Sequence, residues 1–178
     1  MNMPMTQARS LNILLLILMA ILLSASASLA EDKAPTTAEQ IQGLQSMCTA
    51  TADARAARQM EKPLYERLGG YDKILEMTTE VVRLHSINPA IKHTLKGVDH
   101  AGLAKHVADF VAAGTGGNAK YTGRDLPSSH APLKLSDADF LSAGGDIVTA
   151  MTTMGYGQNE IDEFLCIMVS LKDQVVFK

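Results

Sequence analysis

The chain has 178 residues, with 16 basic and 19 acidic side chains and a formal net charge of −3. This near-neutral, slightly acidic balance argues against a nucleic-acid-binding surface, which needs an excess of Lys and Arg. With an N-terminal export segment set aside, the remaining length suits one domain with its own hydrophobic core.

The first thirty residues are typical of a secretory signal. A polar start with Arg9 precedes the apolar run Leu11–Leu23, and small residues, SASASLA, follow before the charged Glu31-Asp32-Lys33. The apolar run is shorter than the roughly 20 residues that cross a bilayer. We therefore predict a signal peptide over residues 1–30, cleavage after Ala30 and export to the bacterial periplasm. The alternative is an uncleaved segment that anchors the chain in the inner membrane, facing the periplasm.

Residues 31–61 are predicted to form a helical N-terminal extension. Thr37, with Gln40 three residues later, matches a capping box, so a helix is expected from Thr37 to about Met60. Pro63 then interrupts the helical pattern.

Residues 62–178 are predicted to form an all-α domain. Apolar residues recur at helical spacing, and the interruptions, such as Gly69-Gly70 and Asn88-Pro89, are Gly or Pro. No run of residues indicates a strand. Three helix N-caps are expected along this domain, at Asp99, at Ser136 with Asp139, and at Asn159.

The two cysteines, Cys48 and Cys166, are far apart in the sequence. The absence of a C-x-x-C pair argues against zinc ribbons and thioredoxin chemistry, and there is no C-x-x-C-H motif for haem attachment. In an exported protein the pair can form a disulfide between the extension and the last helix. Two buried thiols are the alternative.

Two of the five histidines differ from the rest in their surroundings. His106 lies between Leu103 and Phe110 on the apolar side of its predicted helix, and His130 ends a short polar turn. Each is either a core residue or a ligand, and two such imidazoles can hold an iron porphyrin from both sides. Zinc is less well supported, because no Cys, Asp or Glu stands at ligand spacing with the pair.

The other three histidines have simpler interpretations. His93 and His100 lie in a polar connection and are expected to be solvated. His85 lies near the end of a helix, where a positive charge is favoured by the helix dipole.

Four segments resemble group I truncated haemoglobins. They are LYERLGG (64–70), NPAI (88–91), GVD (97–99) and GGNAKYTGRDLPSSHAPL (116–133), and the resemblance runs from Pro63 to about Val176. It implies a truncated globin-like two-over-two helical sandwich around one haem b. It also implies that His130 is the proximal ligand of the iron and that Leu126 contacts the porphyrin face.

On the distal side the residues depart from the family pattern. Val81-Val82 replace a common Phe-Tyr pair, Leu95 replaces a phenylalanine that contacts the ring, and Leu103 and Val107 occupy two further distal positions. The usual hydrogen-bond donors to bound dioxygen are therefore missing, at an expected cost of roughly 1–3 kcal/mol. Oxygen is expected to dissociate faster than in other members.

His106 matches the position that supplies a second imidazole to the iron in some members. The resemblance therefore makes it a candidate metal ligand, or a gate that must move before a gas can bind. Lys96 or Arg124 is the expected partner of the haem propionates, with Lys92 and Lys120 as further candidates.

Three functions remain open at this point. The first is reversible binding of a diatomic gas such as dioxygen or nitric oxide. The second is a bis-histidyl redox protein that takes electrons from a donor protein or performs nitric oxide or peroxide chemistry, so enzymatic activity is left open. The third is a helical interaction module without a cofactor. A membrane is a partner only if the N-terminal segment stays uncleaved.

Overall fold

A computed structural model describes residues 33–178, so the predicted export signal lies outside the described residues. The described residues form eight α-helices: α1 (Thr37–Ala50), α2 (Ala52–Glu61), α3 (Leu64–Arg67), α4 (Gly70–Ile87), α5 (His100–Thr115), α6 (Leu126–His130), α7 (Asp137–Thr153) and α8 (Gln158–Leu171). Short 3-10 turns lie at Lys92–Leu95, Ala131–Leu133 and Lys172–Gln174.

Within residues 33–178 there is no strand, only an isolated bridge between Leu135 and Val176. The predicted all-α class is confirmed. No helix between residues 33 and 178 combines the length and apolar character that a membrane span requires.

The core lies between two helix pairs, α4 with α5 and α7 with α8, and the contact of α4 with α7 joins the pairs. Ile74 and Met77 of α4, Ala108 of α5 and Met151 of α7 are completely buried in one cluster. The buried Thr78 hydroxyl donates a hydrogen bond to the Ala104 carbonyl at 2.9 Å, which ties α4 to α5. This is the expected two-over-two helical sandwich.

Glycines allow the sharp turns at both ends of the α4–α5 unit. Gly69 and Gly70 have φ of 89° and 78°, in the region that side chains rarely adopt. A Cβ on Gly117 would lie 2.5 Å from ring atoms of Tyr65, so this backbone can approach the ring only without a side chain.

Helix α1 of the N-terminal extension packs on α7 and α8, and Arg58 of α2 pairs with Glu163 of α8. Cys48 and Cys166 form a disulfide between α1 and α8, which resolves the alternatives left open by the sequence. The prediction of a single helix is wrong, because the extension forms two helices that are interrupted at Thr51. The Thr51 hydroxyl donates to the Met47 carbonyl at 2.9 Å.

Two of the predicted caps need correction. The first capping box is Thr36 with Glu39 rather than Thr37 with Gln40; the Thr36 N–H donates to Glu39 Oε2 at 2.7 Å. The last helix is capped by Gly157 rather than Asn159. The remaining two caps are confirmed: Asp99 accepts from Ala101 N–H, and Ser136 with Asp139 forms a complete capping box.

Candidate functional site

The segment that carries His130 is organised by its own polar groups. The Tyr121 hydroxyl donates to the Arg124 carbonyl at 2.6 Å, which holds the loop before α6. Asp125 then caps α6 by accepting the Ser128 N–H at 2.7 Å. These bonds set the position at which α6 begins, four residues before His130.

His130 is half-buried at the end of α6, as the sequence predicted. Its Nδ1 lies 2.8 Å from the Leu126 carbonyl oxygen. A carbonyl can only accept, so Nδ1 carries the proton in this bond, which in the neutral imidazole leaves the lone pair on Nε2. A histidine oriented in this way by a backbone carbonyl is ready to bind a metal through Nε2.

An apolar stripe of Leu103, Val107 and Phe110 runs along one side of α5, and all three residues are half-buried. The Phe110 ring meets the Tyr121 ring edge to face, with centroids 5.2 Å apart. This contact links the stripe to the loop that leads to His130. Leu95 and Leu126, the other two predicted porphyrin contacts, are also half-buried.

His106 is exposed, so of the two alternatives left open by the sequence, that of a core residue is wrong. The face of α5 turned to the core includes Ala104, Ala108, Val111 and Ala112, and His106 is rotated away from it, to the outer edge of the apolar stripe. Its imidazole makes no hydrogen bond to any residue of the described chain.

A polar cluster on the same helix was missed in the sequence analysis. Tyr71 donates its hydroxyl hydrogen to Asp109 at 2.7 Å, and Lys105 Nζ lies 2.9 Å from the other carboxylate oxygen. The hydrogen bonds from Tyr71 and then Lys105 lower the pKa of Asp109. The i,i+4 spacing of Lys105 and Asp109 was a visible signal for half of this cluster. No signal in the sequence indicated the pairing of Asp109 with Tyr71, which lies 38 residues away.

The four basic residues proposed to meet the propionates, Lys92, Lys96, Lys120 and Arg124, are all exposed. None of them forms an ion pair with a residue between 33 and 178. Their charges are therefore available to an anionic group.

The interpretation of His85 as a cationic cap is wrong. Its side chain is only 21% exposed, and burial lowers its pKa, although the nearby Asp146 opposes this shift. Its Nδ1 lies 2.8 Å from Asp146 Oδ2, an oxygen that also accepts from Asn88. His93 and His100 are exposed, as expected.

The donor set suits a porphyrin iron better than a bare metal ion. Among the described residues, no three His, Cys, Asp or Glu side chains gather as a metal-ion site would require. A half-buried imidazole whose Nδ1 is held by a backbone carbonyl is what a haem iron needs from its proximal side. A separate apolar groove of about 150 Å³, between α1, α7 and α8, includes none of the predicted haem contacts.

The family description "Bacterial-like globin" matches residues 63–177. The fold resembles that of the truncated haemoglobin from Tetrahymena pyriformis in its Fe(III) form, with 20% identity and a TM-score of 0.63 over 66% of this chain and 100% of that one. It also resembles the 2/2 haemoglobin from Synechococcus sp. PCC 7002, crystallised in the cyanomet state with covalently attached haem. There the identity is 23% and the TM-score 0.60, over 65% of this chain and 99% of that one. No curated protein sequence matches the chain.

The family match covers more than half of the chain and contains His130, the apolar stripe and both glycine turns. Globins hold a haem through a proximal histidine and bind small gas ligands at its iron. The chain therefore belongs to the bacterial-like globin family.

Proposed function

We propose that this globin is a group I truncated haemoglobin that holds haem b and binds dioxygen or nitric oxide at the iron, with His130 as the proximal ligand. The observation that carries the proposal is the 2.8 Å contact between His130 Nδ1 and the Leu126 carbonyl, because it leaves Nε2 free to bind iron. When bound, the haem supplies an iron that coordinates a diatomic gas and exchanges single electrons.

The side chains around this site would exclude water rather than donate hydrogen bonds. Leu95, Leu103, Val107 and Leu126 are half-buried and apolar, and they form the proposed contacts with the ring. Val81 and Val82, at the positions where relatives often have Phe-Tyr, are buried. A bound dioxygen would therefore lack a strong donor, which favours rapid release over storage.

His106 supports a second candidate function, that of a bis-histidyl redox protein. It stands at the edge of the apolar stripe and has no hydrogen-bond partner among the described residues, so its imidazole is free to turn toward or away from the ring. Two imidazole ligands would close the iron to gases at rest and suit electron exchange with a donor protein, or nitric oxide or peroxide chemistry. In the first function the same side chain acts as a gate.

The exposed Lys96 and Arg124 are the proposed partners of the propionates. Lys96 follows the 3-10 turn that carries Leu95, and Arg124 lies just before α6. Both stand beside proposed porphyrin contacts, and a propionate there would gain a charge-assisted hydrogen bond.

The test is the visible spectrum of the purified full chain, ferric and ferrous, with and without carbon monoxide. We expect a haem spectrum that His130→Ala abolishes or greatly weakens. A His106→Ala variant should lose low-spin bands if His106 binds iron, and an unchanged spectrum would leave only the gas-binding function. A colourless wild-type protein, or a His130→Ala variant with intact pigment, would refute the proposal.

We also propose that the chain is exported, on the strength of the signal-like residues 1–30. N-terminal sequencing of protein from fractionated bacteria tests this. A periplasmic product that starts at Glu31 is expected. A full-length product in the membrane fraction supports the anchored alternative, and a full-length cytosolic product contradicts both.

A further inference from the structure

The C-terminal tail, residues 172–178, contacts the segment that follows His130. The N–H groups of Phe177 and Lys178 both donate to the Leu135 carbonyl, at 3.0 and 3.2 Å. The 3-10 turn Lys172–Gln174 lies against α6, the helix that ends in His130. The tail therefore touches the His130 segment on both sides of the histidine.

Lys172 adds an ion pair to this contact. Its Nζ lies 2.8 Å from Asp137 Oδ1, at the first residue of α7, and its side chain is only 16% exposed. Asp173, whose side chain is 98% exposed, lies farther away, at 3.9 Å. The pair with Asp137 joins the start of the tail to the helix that follows the His130 segment.

The helix from which the tail emerges is held at its other end. Arg67 binds Glu160 at 2.9 Å and Glu163 at 2.7 Å, and the Arg67 side chain is only 10% exposed. The disulfide from Cys48 meets α8 at Cys166. Because these contacts hold α8 in place, the position of the tail is set by α8 and does not depend only on its contacts with the His130 segment.

We propose that the C-terminal tail positions the proximal histidine, with Lys172 as the positioning side chain. The backbone bonds from residues 177 and 178 fix Leu135, the Lys172–Asp137 pair fixes the start of α7, and the turn at 172–174 supports α6. His130 lies between these points. Tail contacts thus restrict how far the imidazole can tilt or withdraw from the iron. This inference rests on the proposed function, in which His130 is the proximal ligand.

The experiment uses the haem-loaded full chain and the variant Lys172→Met, which keeps the length of the side chain and removes the charge. Lys73→Met is the matched control, because Lys73 also pairs with a carboxylate, Glu76, at 2.6 Å but with both side chains 56% exposed. Lys172→Arg should restore the pair. A fourth variant lacks residues 177 and 178 and so loses both N–H donors to Leu135.

Two readouts are taken, the rate of haem loss to an excess of a haem-free acceptor globin and the iron–histidine stretching band after photolysis of the carbon monoxide complex. Lys172→Met and the truncated chain should lose haem about three to ten times faster, as expected when the net contribution of about one hydrogen bond is lost. Both should also shift the iron–histidine band. Lys73→Met and Lys172→Arg should match the wild type in both readouts.

Failure of this inference can be distinguished from failure of the proposed function. If His130→Ala keeps its haem spectrum, the proposed function fails and the inference fails with it. If His130→Ala loses haem while Lys172→Met and the truncated chain behave as Lys73→Met does, the tail does not position His130 and only the inference is overturned. Should Lys172→Met fail to fold, Asp137→Asn removes the same ion pair from a partner with 44% exposure, with the same expected result.

Discussion

The two sides of the candidate haem site are held in different ways. On the proximal side, Tyr121 and His130 donate hydrogen bonds to backbone carbonyls, Asp125 accepts one from the Ser128 N–H, and the C-terminal tail contacts the same segment. On the distal side, His106 is exposed and the neighbouring stripe consists of the half-buried apolar side chains Leu103, Val107 and Phe110. One histidine is thus oriented before any ligand arrives, while the other is free to move. Under the proposed function, such a site would hold its cofactor with one side chain and regulate access with the other.

The largest expected effect comes from removal of the disulfide that holds α8. The double variant Cys48→Ala/Cys166→Ala should lose about 3–5 kcal/mol of unfolding free energy, because the bond closes a long loop in the unfolded chain. Chemical denaturation of the haem-free protein measures this loss. Reduced wild type serves as the comparison and should approach the variant. Identical midpoints for oxidised wild type and variant would mean that the bond does not stabilise the fold.

A single hydroxyl tests the organisation of the proximal side. Tyr121→Phe should cost about 1 kcal/mol of stability and accelerate haem loss, because the loop before α6 loses its hydrogen bond to Arg124. Tyr156→Phe is the matched control, since that hydroxyl donates to the Leu68 carbonyl at 2.8 Å in another part of the molecule. Similar destabilisation with unchanged haem loss is expected for the control. Equal rates of haem loss in the two variants would contradict the special role of the proximal loop.

A pH dependence of stability should arise at His85, which pairs with Asp146 of α7. Burial lowers the pKa of His85 in the folded state, so the unfolded chain binds a proton more readily. The neutral side chain therefore contributes its full stability above its unfolded pKa of about 6.5, and this contribution is lost as the pH falls through the lower folded pKa. Unfolding free energies of wild type and His85→Gln, measured between pH 7.5 and about 5, should converge at acid pH. If the unfolding free energies of the two proteins change in parallel with pH, His85 is not the source of the pH dependence.

The smallest expected effect on stability is that of His106→Ala. An exposed side chain without a hydrogen bond should change the unfolding free energy of the haem-free protein by no more than about 0.5 kcal/mol. Haem loss should also stay near the wild-type rate if His106 is only a gate. Denaturation of the haem-free variant and haem transfer from the loaded one check both statements. A large loss of stability would show that His106 is structural, and the contrast between the two sides would disappear.

The helical class and the position of His130 could be predicted because both depend on local signals. Apolar residues at helical spacing, Gly and Pro at the breaks, and Asp or Ser at the caps identified most helices. The error at the first cap has a simple cause: Thr36–Glu39 and Thr37–Gln40 both fit the capping-box pattern, and only the Glu39 carboxylate accepts charge-assisted bonds from Thr36.

The remaining features depend on partners distant in the sequence. Asp146 lies 61 residues from His85, and Lys172 lies 35 residues from Asp137. No pattern within one helix reveals such pairs. The exposure of His106 was missed for a related reason: a position between apolar neighbours on the helix, such as Leu103 and Phe110, does not say how the helix is rotated against its core.

The Cys48–Cys166 bond has one more consequence for this chain. It joins positions 118 residues apart, so most of the described chain forms a covalent ring with two short free ends. Neither α1 nor α8 can separate from the other when an end of the chain unfolds locally, because the disulfide bonds them together. A protease that cuts any one loop inside this ring would leave two fragments still linked, and the nicked globin would separate only after reduction.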